Sequence, residues 1–354
     1  MVDKVRCSEY LNILKDFEDI VLNRSLKDVE PLFRIYFKHA NVLCVRGGLK
    51  RYFLEHAVIF KMLGAKGKDV LDIGSGFGLG LIIFALLGAR KCHGIDISDE
   101  MIKGSSYLIE DLLKKKPYLN IELKKGDFLL TEYPRASFDI VILKDAISHI
   151  RDTELLLDKV KKILRLGGTL YISDGNNILF CPNIIRIRRN WKRSEHGPIP
   201  EDIVKYGRKV DRLSFFEARV NIIKELCPSL NDEIVKLLAY KTRGMYGDEI
   251  VEAVKEFISK GKVSRAASFP YRNPYTGEFP ELGFNPFKLA RSLKQRGFSC
   301  KFVPPPWAYT GRGPSVSVLK NALATILSPF LKILPSFLLP LLSPSFHITA
   351  RKIK

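Results

Sequence analysis

From Asp69 onward the chain alternates short apolar runs with amphipathic stretches. Strand-like runs occupy 69–73, 91–97, 121–125, 138–144 and 169–173, each four to eight residues long and rich in Val, Ile, Leu and Phe. Between them, 79–87, 100–114 and 154–164 repeat apolar residues at helical spacing, and Gly167-Gly168 reads as the stop of the last one. Before Asp69 the pattern is helical throughout. Tyr10, Leu11, Leu14, Phe17, Ile20 and Val21 share one face, Asp28 and Pro31 open a second helix over 32–39, and 51–63 forms a third, closed by Gly64 and Gly67. After 174 the rhythm breaks. It resumes with a helix over 286–295, a strand over 298–303 stopped by Pro304-Pro305-Pro306, and an alternating final strand over 345–353.

Strand and helix taking turns require crossover connections. The expected fold is α/β: a Rossmann-like, seven-stranded, mostly parallel sheet with helices on both faces. The expected organisation is a helical N-terminal extension (1–66), a core (67–175), a large cap insertion (176–285), a return to the core sheet (286–307 and 345–354), and an apolar helical insertion (308–344) before the last strand.

Composition narrows the partners. The chain has 354 residues, 46% of them hydrophobic, enough to bury a sizeable core. Lys and Arg number 58 against 38 Asp and Glu, a net charge of +20, which favours an anionic partner. Cys7, Cys44, Cys92, Cys181, Cys227 and Cys300 form no C-x-x-C pair and have no His cluster beside them, so neither a zinc site nor a disulfide framework is expected. Scattered single cysteines suit a reducing cytoplasm, and the charged start at Met1–Arg6 reads as no secretory signal.

The chemistry concentrates at the end of the first strand. Asp72-Ile73-Gly74-Ser75-Gly76-Phe77-Gly78 runs from a strand through glycines into a helix, the arrangement that gathers backbone N–H groups at one point. A dinucleotide loop places glycine at positions one, three and six; counted from Gly74, position six is Leu79. The negative Asp72 suits a cationic group better than a phosphate. Asp96 follows the second strand, where an acid can accept from both ribose hydroxyls. Asp127 follows the third, beside Phe128. Acids after successive parallel strands share the sheet edge at which such folds bind ligands.

These segments, with His93 to Met101, Phe138 to Val141, Asp145, His149 and Leu166 to Leu170, resemble class I S-adenosylmethionine-dependent methyltransferases. The resemblance is close over 66–175. It implies that Asp72, Gly74, Ser75, Gly76 and Gly78 hold the methionine part of S-adenosyl-L-methionine, Asp96 the ribose and Asp127 the adenine. It also implies that Ile97 and Phe128 sandwich the adenine, with Met101 and Lys144 among the cofactor contacts. His149 and Asp145, after the fourth strand, are the candidate catalytic residues; relatives carry His at this place whatever their substrate, which favours positioning over base catalysis for His149.

Two further stretches bear on the acceptor. Residues 186–193 combine Arg186, Arg188, Arg189, Lys192 and Arg193 with Trp191, which suits RNA or an anionic membrane surface. Residues 316–342 are strongly apolar, with only Lys320 and Lys332 charged, and are punctuated by Pro329, Pro335 and Pro340. Lying between two strands of one sheet, they must return to it, which rules out a single membrane span and favours an interfacial hairpin. The expected enzyme acts on a lipid, lipid-linked glycan or other amphipathic small molecule, in the cytoplasm or peripherally on the inner face of the membrane. An RNA or soluble-metabolite methyltransferase and a non-catalytic adenosyl-ligand-binding scaffold are the competing readings.

Overall fold

The computed structural model describes residues 7–22, 48–197, 213–264, 267, 270–275, 277, 281–310 and 318–354. The helix expected over 32–39, part of the loop over 269–286, and residues 316 and 317 lie outside them.

The described chain divides into two compact units, one from 1–180 with 284–354, the other 181–283. The first is built on a seven-stranded sheet. Its strands are β1 (Asp69–Ile73), β2 (Lys91–Asp96), β3 (Ile121–Lys125), β4 (Phe138–Lys144), β5 (Leu164–Asp174), β6 (Phe298–Phe302) and β7 (Phe346–Lys352). Their order is β3-β2-β1-β4-β5-β7-β6. Strands β1 to β5 are parallel, and β7 runs antiparallel between β5 and β6. The order reverses between β1 and β4, the crevice at which open sheets of this kind bind ligands.

Alternation along the strands sorts the core into two layers. Val70, Cys92, Ile140, Ile142 and Tyr171 face one side. There they pack under α1 (Cys7–Leu22), α2 (Gly48–Leu63), α3 (Leu79–Leu86) and α4 (Asp99–Lys115), through Phe17, Phe53, Phe60, Phe84 and Leu112. Leu71, Ile73, Val141, Leu143 and Ile172 face the other. They meet α5 (Thr153–Ile163) and, from later in the chain, α10 (Pro286–Gln295), through Leu157, Val160, Leu289 and Leu293. The N-terminal helices thus have no core of their own. Ser98 and Asp152 cap α4 and α5 by accepting from the backbone N–H groups of Met101 and Leu155.

One boundary differs from the expectation. Gly167-Gly168 does not stop a helix; α5 ends at Ile163, and β5 starts at Leu164 and runs through both glycines. The β4–β5 register jumps from Phe138↔Leu164 to Ile140↔Thr169, so β5 bulges there. Gly167 takes φ +77°, and a Cβ on Gly168 would lie 2.9 Å from the Asp139 carbonyl oxygen. The glycines serve a crowded bulge, a demand that the local pattern does not distinguish from a helix stop.

The second unit contains α6 (Cys181–His196), α7 (Phe215–Leu226), α8 (Asp232–Lys241) and α9 (Asp248–Lys260). Ser214 and Glu217 form a reciprocal capping box at the start of α7. Ile223, Val235, Leu238, Ile250 and Val254 make its core. Arg219, fully buried, pairs with buried Glu195 and donates from Nε to the Ala239 carbonyl at 2.7 Å. The Trp191 ring is already used within this unit: it stacks on Tyr271 at 5.4 Å and donates to the Glu281 carbonyl at 3.0 Å.

Removing one partner of a buried pair leaves the other charge uncompensated, at a cost of about 3–5 kcal/mol. Arg219→Ala is therefore expected to lower the urea midpoint of the second unit sharply, whereas Arg243→Ala, at a more exposed partner of Glu195, is expected to lower it little.

Candidate active site

Three glycines shape the ligand edge. Gly74, Gly76 and Gly78 have φ of +75°, +54° and +65°, the left-handed region that side chains rarely adopt. A Cβ on Gly74 would lie 2.6 Å from that of Ala146, so the turn after β1 packs directly on the loop after β4. Asp96 fastens the turn from the neighbouring strand. Its Oδ2 accepts from the Gly76 N–H at 2.8 Å and its Oδ1 from the Ser98 N–H at 2.9 Å. The Gly74 and Ser75 N–H groups donate to the Ile95 carbonyl. Ser75 Oγ is buried with no hydrogen-bond partner among the described residues.

The remaining acids follow their strands. Asp127 Oδ1 accepts from the Leu129 N–H at 2.8 Å, holding the turn after β3. Ile97, at the end of β2, is 70% exposed. Met101 sits in the first turn of α4, its N–H donating to Ser98 Oγ. Phe128 follows Asp127 directly. Its ring is 4% exposed, stacks on Tyr133 at 6.1 Å and lies 5.9 Å from Lys159 Nζ. Tyr133 and Phe138 form an aromatic cluster that takes the ring into the core, a nonlocal contact that the motif does not reveal.

Asp72 stands at the centre of a polar row that crosses one face of the sheet. Its register partner on β4 is Ile142, which pairs with Tyr171, while Lys144 pairs with Ser173 and Ser173 with His347. Residues two apart on a strand share a face, so Asp72, Lys144, Tyr171, Ser173 and His347 lie on one side. Helix α2 covers it. Tyr52 takes Lys144 Nζ over its ring at 5.8 Å and accepts from His56 Nδ1 through its carbonyl at 2.8 Å. His56, Asp72 and Lys144 line one small cavity with Gly80 and Phe84.

Enclosure sets the charges. Burial pushes the Asp72 carboxyl up to about 7; Lys144 pulls the other way and Asp96 adds to the rise. Burial pushes His56 down to about 3, with Lys144 adding, and His347 down to about 4. Burial also raises Glu55, on α2. The Asp145 side chain is largely exposed, and the Lys144 ammonium 3.0 Å away holds its carboxylate low. Asp145 also has φ +53°, an uncommon conformation for a residue with a side chain. His149 follows in a short turn, exposed, its N–H donating to the Ala146 carbonyl. Asp174 accepts from the Ser148 and Asn176 N–H groups, and burial raises it to about 6.

The structure thus brings Asp72, the glycine turn, Asp96, Lys144 and Asp145 together at the ends of β1, β2 and β4. Tyr52, Glu55, His56, Tyr171 and His347 went unmarked in the sequence. The first three recur at i, i+3 and i+4, a polar trio on a helix otherwise buried through Phe53, Ile59 and Phe60; that was the legible signal.

Residues 65–218 match the family model of a methyltransferase domain. Over 133 residues the chain is 27% identical to a probable S-adenosylmethionine-dependent methyltransferase of Mycolicibacterium smegmatis, covering 37% of this chain and 48% of the relative. Over 121 residues it is 34% identical to phosphoethanolamine N-methyltransferase 2 of Caenorhabditis elegans, covering 34% of this chain and 27% of the relative. A solved S-adenosylmethionine-dependent methyltransferase from Mesorhizobium loti superposes with a TM-score of 0.41 at 16% identity, covering 84% of this chain and all of that one. Over its core, the chain is similar to S-adenosylmethionine-dependent methyltransferases. The similarity spans less than half the length of these two relatives.

The raised Asp72 sets a pH dependence. In the fold its proton stays on up to about pH 7, whereas an unfolded carboxyl loses it near 4. Between those values the folded chain binds more protons, so this residue's contribution to stability falls as pH rises through that window and is level above it. Asp72→Asn is expected to match the wild type near pH 4 and to exceed it at pH 8 in urea denaturation. A gap that shrinks with rising pH would refute the assignment.

Proposed function

We propose that the protein transfers a methyl group from S-adenosyl-L-methionine to an amphipathic or lipid-like small-molecule acceptor. The observation that carries the reading is the glycine turn fastened by Asp96, with Asp72 before it and Asp127 on the adjoining strand end. The residues fit the cofactor. The left-handed glycines let a ligand approach the backbone, and the orphaned Ser75 hydroxyl is a buried polar atom in want of a partner. Asp72 offers its carboxyl to an ammonium, which would draw it back to the ionised form. Asp96 uses one lone pair of each oxygen on the backbone and keeps others for two ribose hydroxyls. Asp127 is assigned to the adenine amine. Ile97 and Phe128 are assigned to the two faces of the adenine ring.

When bound, the cofactor supplies a methyl carbon activated by its sulfonium. The chain must then align the acceptor, exclude water and, for an oxygen or a protonated amine, receive a proton. Asp145, held ionised by Lys144, is assigned to orienting the acceptor, and His149 to positioning it or receiving its proton. Relatives named phosphoethanolamine N-methyltransferases support a small acceptor with a phosphate and an amine, a lipid precursor. The net charge of +20 agrees with an anionic one. The insertion over 176–285 is assigned to acceptor choice on the strength of its basic helix α6. The place of work is assigned to the cytoplasmic face of an anionic membrane. Among the described residues no helix is long and apolar enough to cross one.

Labelled cofactor incubated with separated lipid, small-metabolite and RNA extracts tests the acceptor class. Label is expected in the lipid or small-metabolite fraction, and label in RNA alone would overturn it. With the labelled acceptor in hand, Asp145→Asn and His149→Ala are expected to lower kcat by about tenfold to a hundredfold. The Kd for S-adenosylhomocysteine should stay within about twofold. A loss confined to cofactor affinity would remove both residues from the acceptor side.

A further inference from the structure

The stretch that follows β6 carries an apolar surface that the core does not use. Trp307–Thr310 forms a short helix, α11, and Val318–Ile333 the longer α12; Leu339–Leu342 adds a last turn, α13. Ser328 and Leu331 face inward. Ser328 Oγ donates to the Ala308 carbonyl, and Leu331 packs with Ala308 and Leu339. Ile326, Leu327, Phe330 and Ile333 face outward, Ile326 63% and Ile333 79% exposed. Phe337, Leu341 and Leu342, in the turns that follow, are exposed as well. Positions 326, 330 and 333 step at helical spacing, so α12 is apolar on both its sides. A helix of that kind needs a second apolar medium. Seven large apolar side chains exposed within one short stretch mark an interaction surface rather than scattered surface residues.

The charge around it selects the medium. Residues 282–354 hold seven lysines and four arginines and no Asp or Glu; Arg296 pairs with Glu154 and Asp158, Arg351 and Lys352 sit at the far end of β7, and Lys332 lies within the row itself. Lys332, exposed within the row, lies with its Nζ 5.3 Å from the Tyr309 ring. An apolar row that carries an exposed lysine, on a chain of net charge +20, matches the boundary of an anionic bilayer, acyl chains below and phosphates above. The row is also anchored to the ligand edge. Asn177, just past β5, donates from Nδ2 to the carbonyls of Pro340 and of Ser343, the latter at 2.8 Å, and α11 packs against α2.

We propose that the outward face of α12 and α13 seats the protein on an anionic membrane, with Phe330, Ile333 and Phe337 at the headgroup boundary and Lys332 among the phosphates. This deepens the membrane assignment made above and rests on it. Seated so, the ends of β1, β4 and β5 would stand near the lipid surface, within reach of an acceptor that never leaves it.

Sedimentation of the full chain with vesicles tests the face. The wild type is expected to bind phosphatidylcholine vesicles containing roughly a third phosphatidylglycerol and to release them at high salt, with little binding to phosphatidylcholine alone. Phe330→Ser with Ile333→Ser should weaken that binding about tenfold or more. Calorimetric binding of S-adenosylhomocysteine should be unchanged in the double variant, which separates a lost surface from a lost fold. Wild-type-like sedimentation of the double variant would overturn the assignment. So would a wild type that ignores anionic vesicles but forms, in analytical ultracentrifugation, a dimer that the substitutions break, because a second copy would then be the occupant. Either failure leaves the methyl-donor assignment standing, since that is read from the calorimetry.

Discussion

The close approach of two loops governs this molecule. Gly74, after β1, lies so near Ala146, after β4, that a single added carbon would meet it at 2.6 Å. That contact holds the crevice where the strand order reverses, and it requires left-handed backbone at alternate positions of the turn. Asp96 then fixes the turn through the Gly76 N–H, so one carboxylate both shapes the loop and faces what the loop holds. Ligand recognition and fold are joined in the same few atoms.

Around that crevice the charges follow from enclosure. Asp72, Lys144, Tyr171 and His347 share one face of the sheet under α2, where desolvation favours neutral forms. Asp72 and the two histidines yield to it, while Lys144 and Asp145, 3.0 Å apart, keep each other ionised. The result is one acid poised near neutrality beside an intact ion pair. A cationic ligand group entering beside Asp72 would meet an acid able to ionise at little cost.

Much of this was legible in the chain. The strands β1 to β4 follow from apolar runs bounded by glycines and acids, and the spacing of Gly74, Gly76 and Gly78 excludes a dinucleotide loop. The misread features are nonlocal. Gly167 and Gly168 serve a bulge forced by the Asp139 carbonyl on the neighbouring strand. His347 joins the polar row only because β7 pairs with β5, more than 170 residues earlier, through Ser173. His56 shares a cavity with Asp72 because α2 packs on the sheet, although its place among apolar neighbours on one helix was visible. Local pattern reports the element; which polar groups meet depends on pairings that spacing does not encode.

The central claim is that the glycine turn and its acids hold an adenosyl amino-acid ligand. Isothermal titration of the protein with S-adenosylhomocysteine and with NAD, at pH 6 in buffers of differing ionisation enthalpy, tests it most directly. Micromolar-range binding of the first alone is expected, with release of up to one proton as Asp72 ionises beside the ligand's ammonium. Binding of NAD in place of S-adenosylhomocysteine, or binding without proton release, would contradict it.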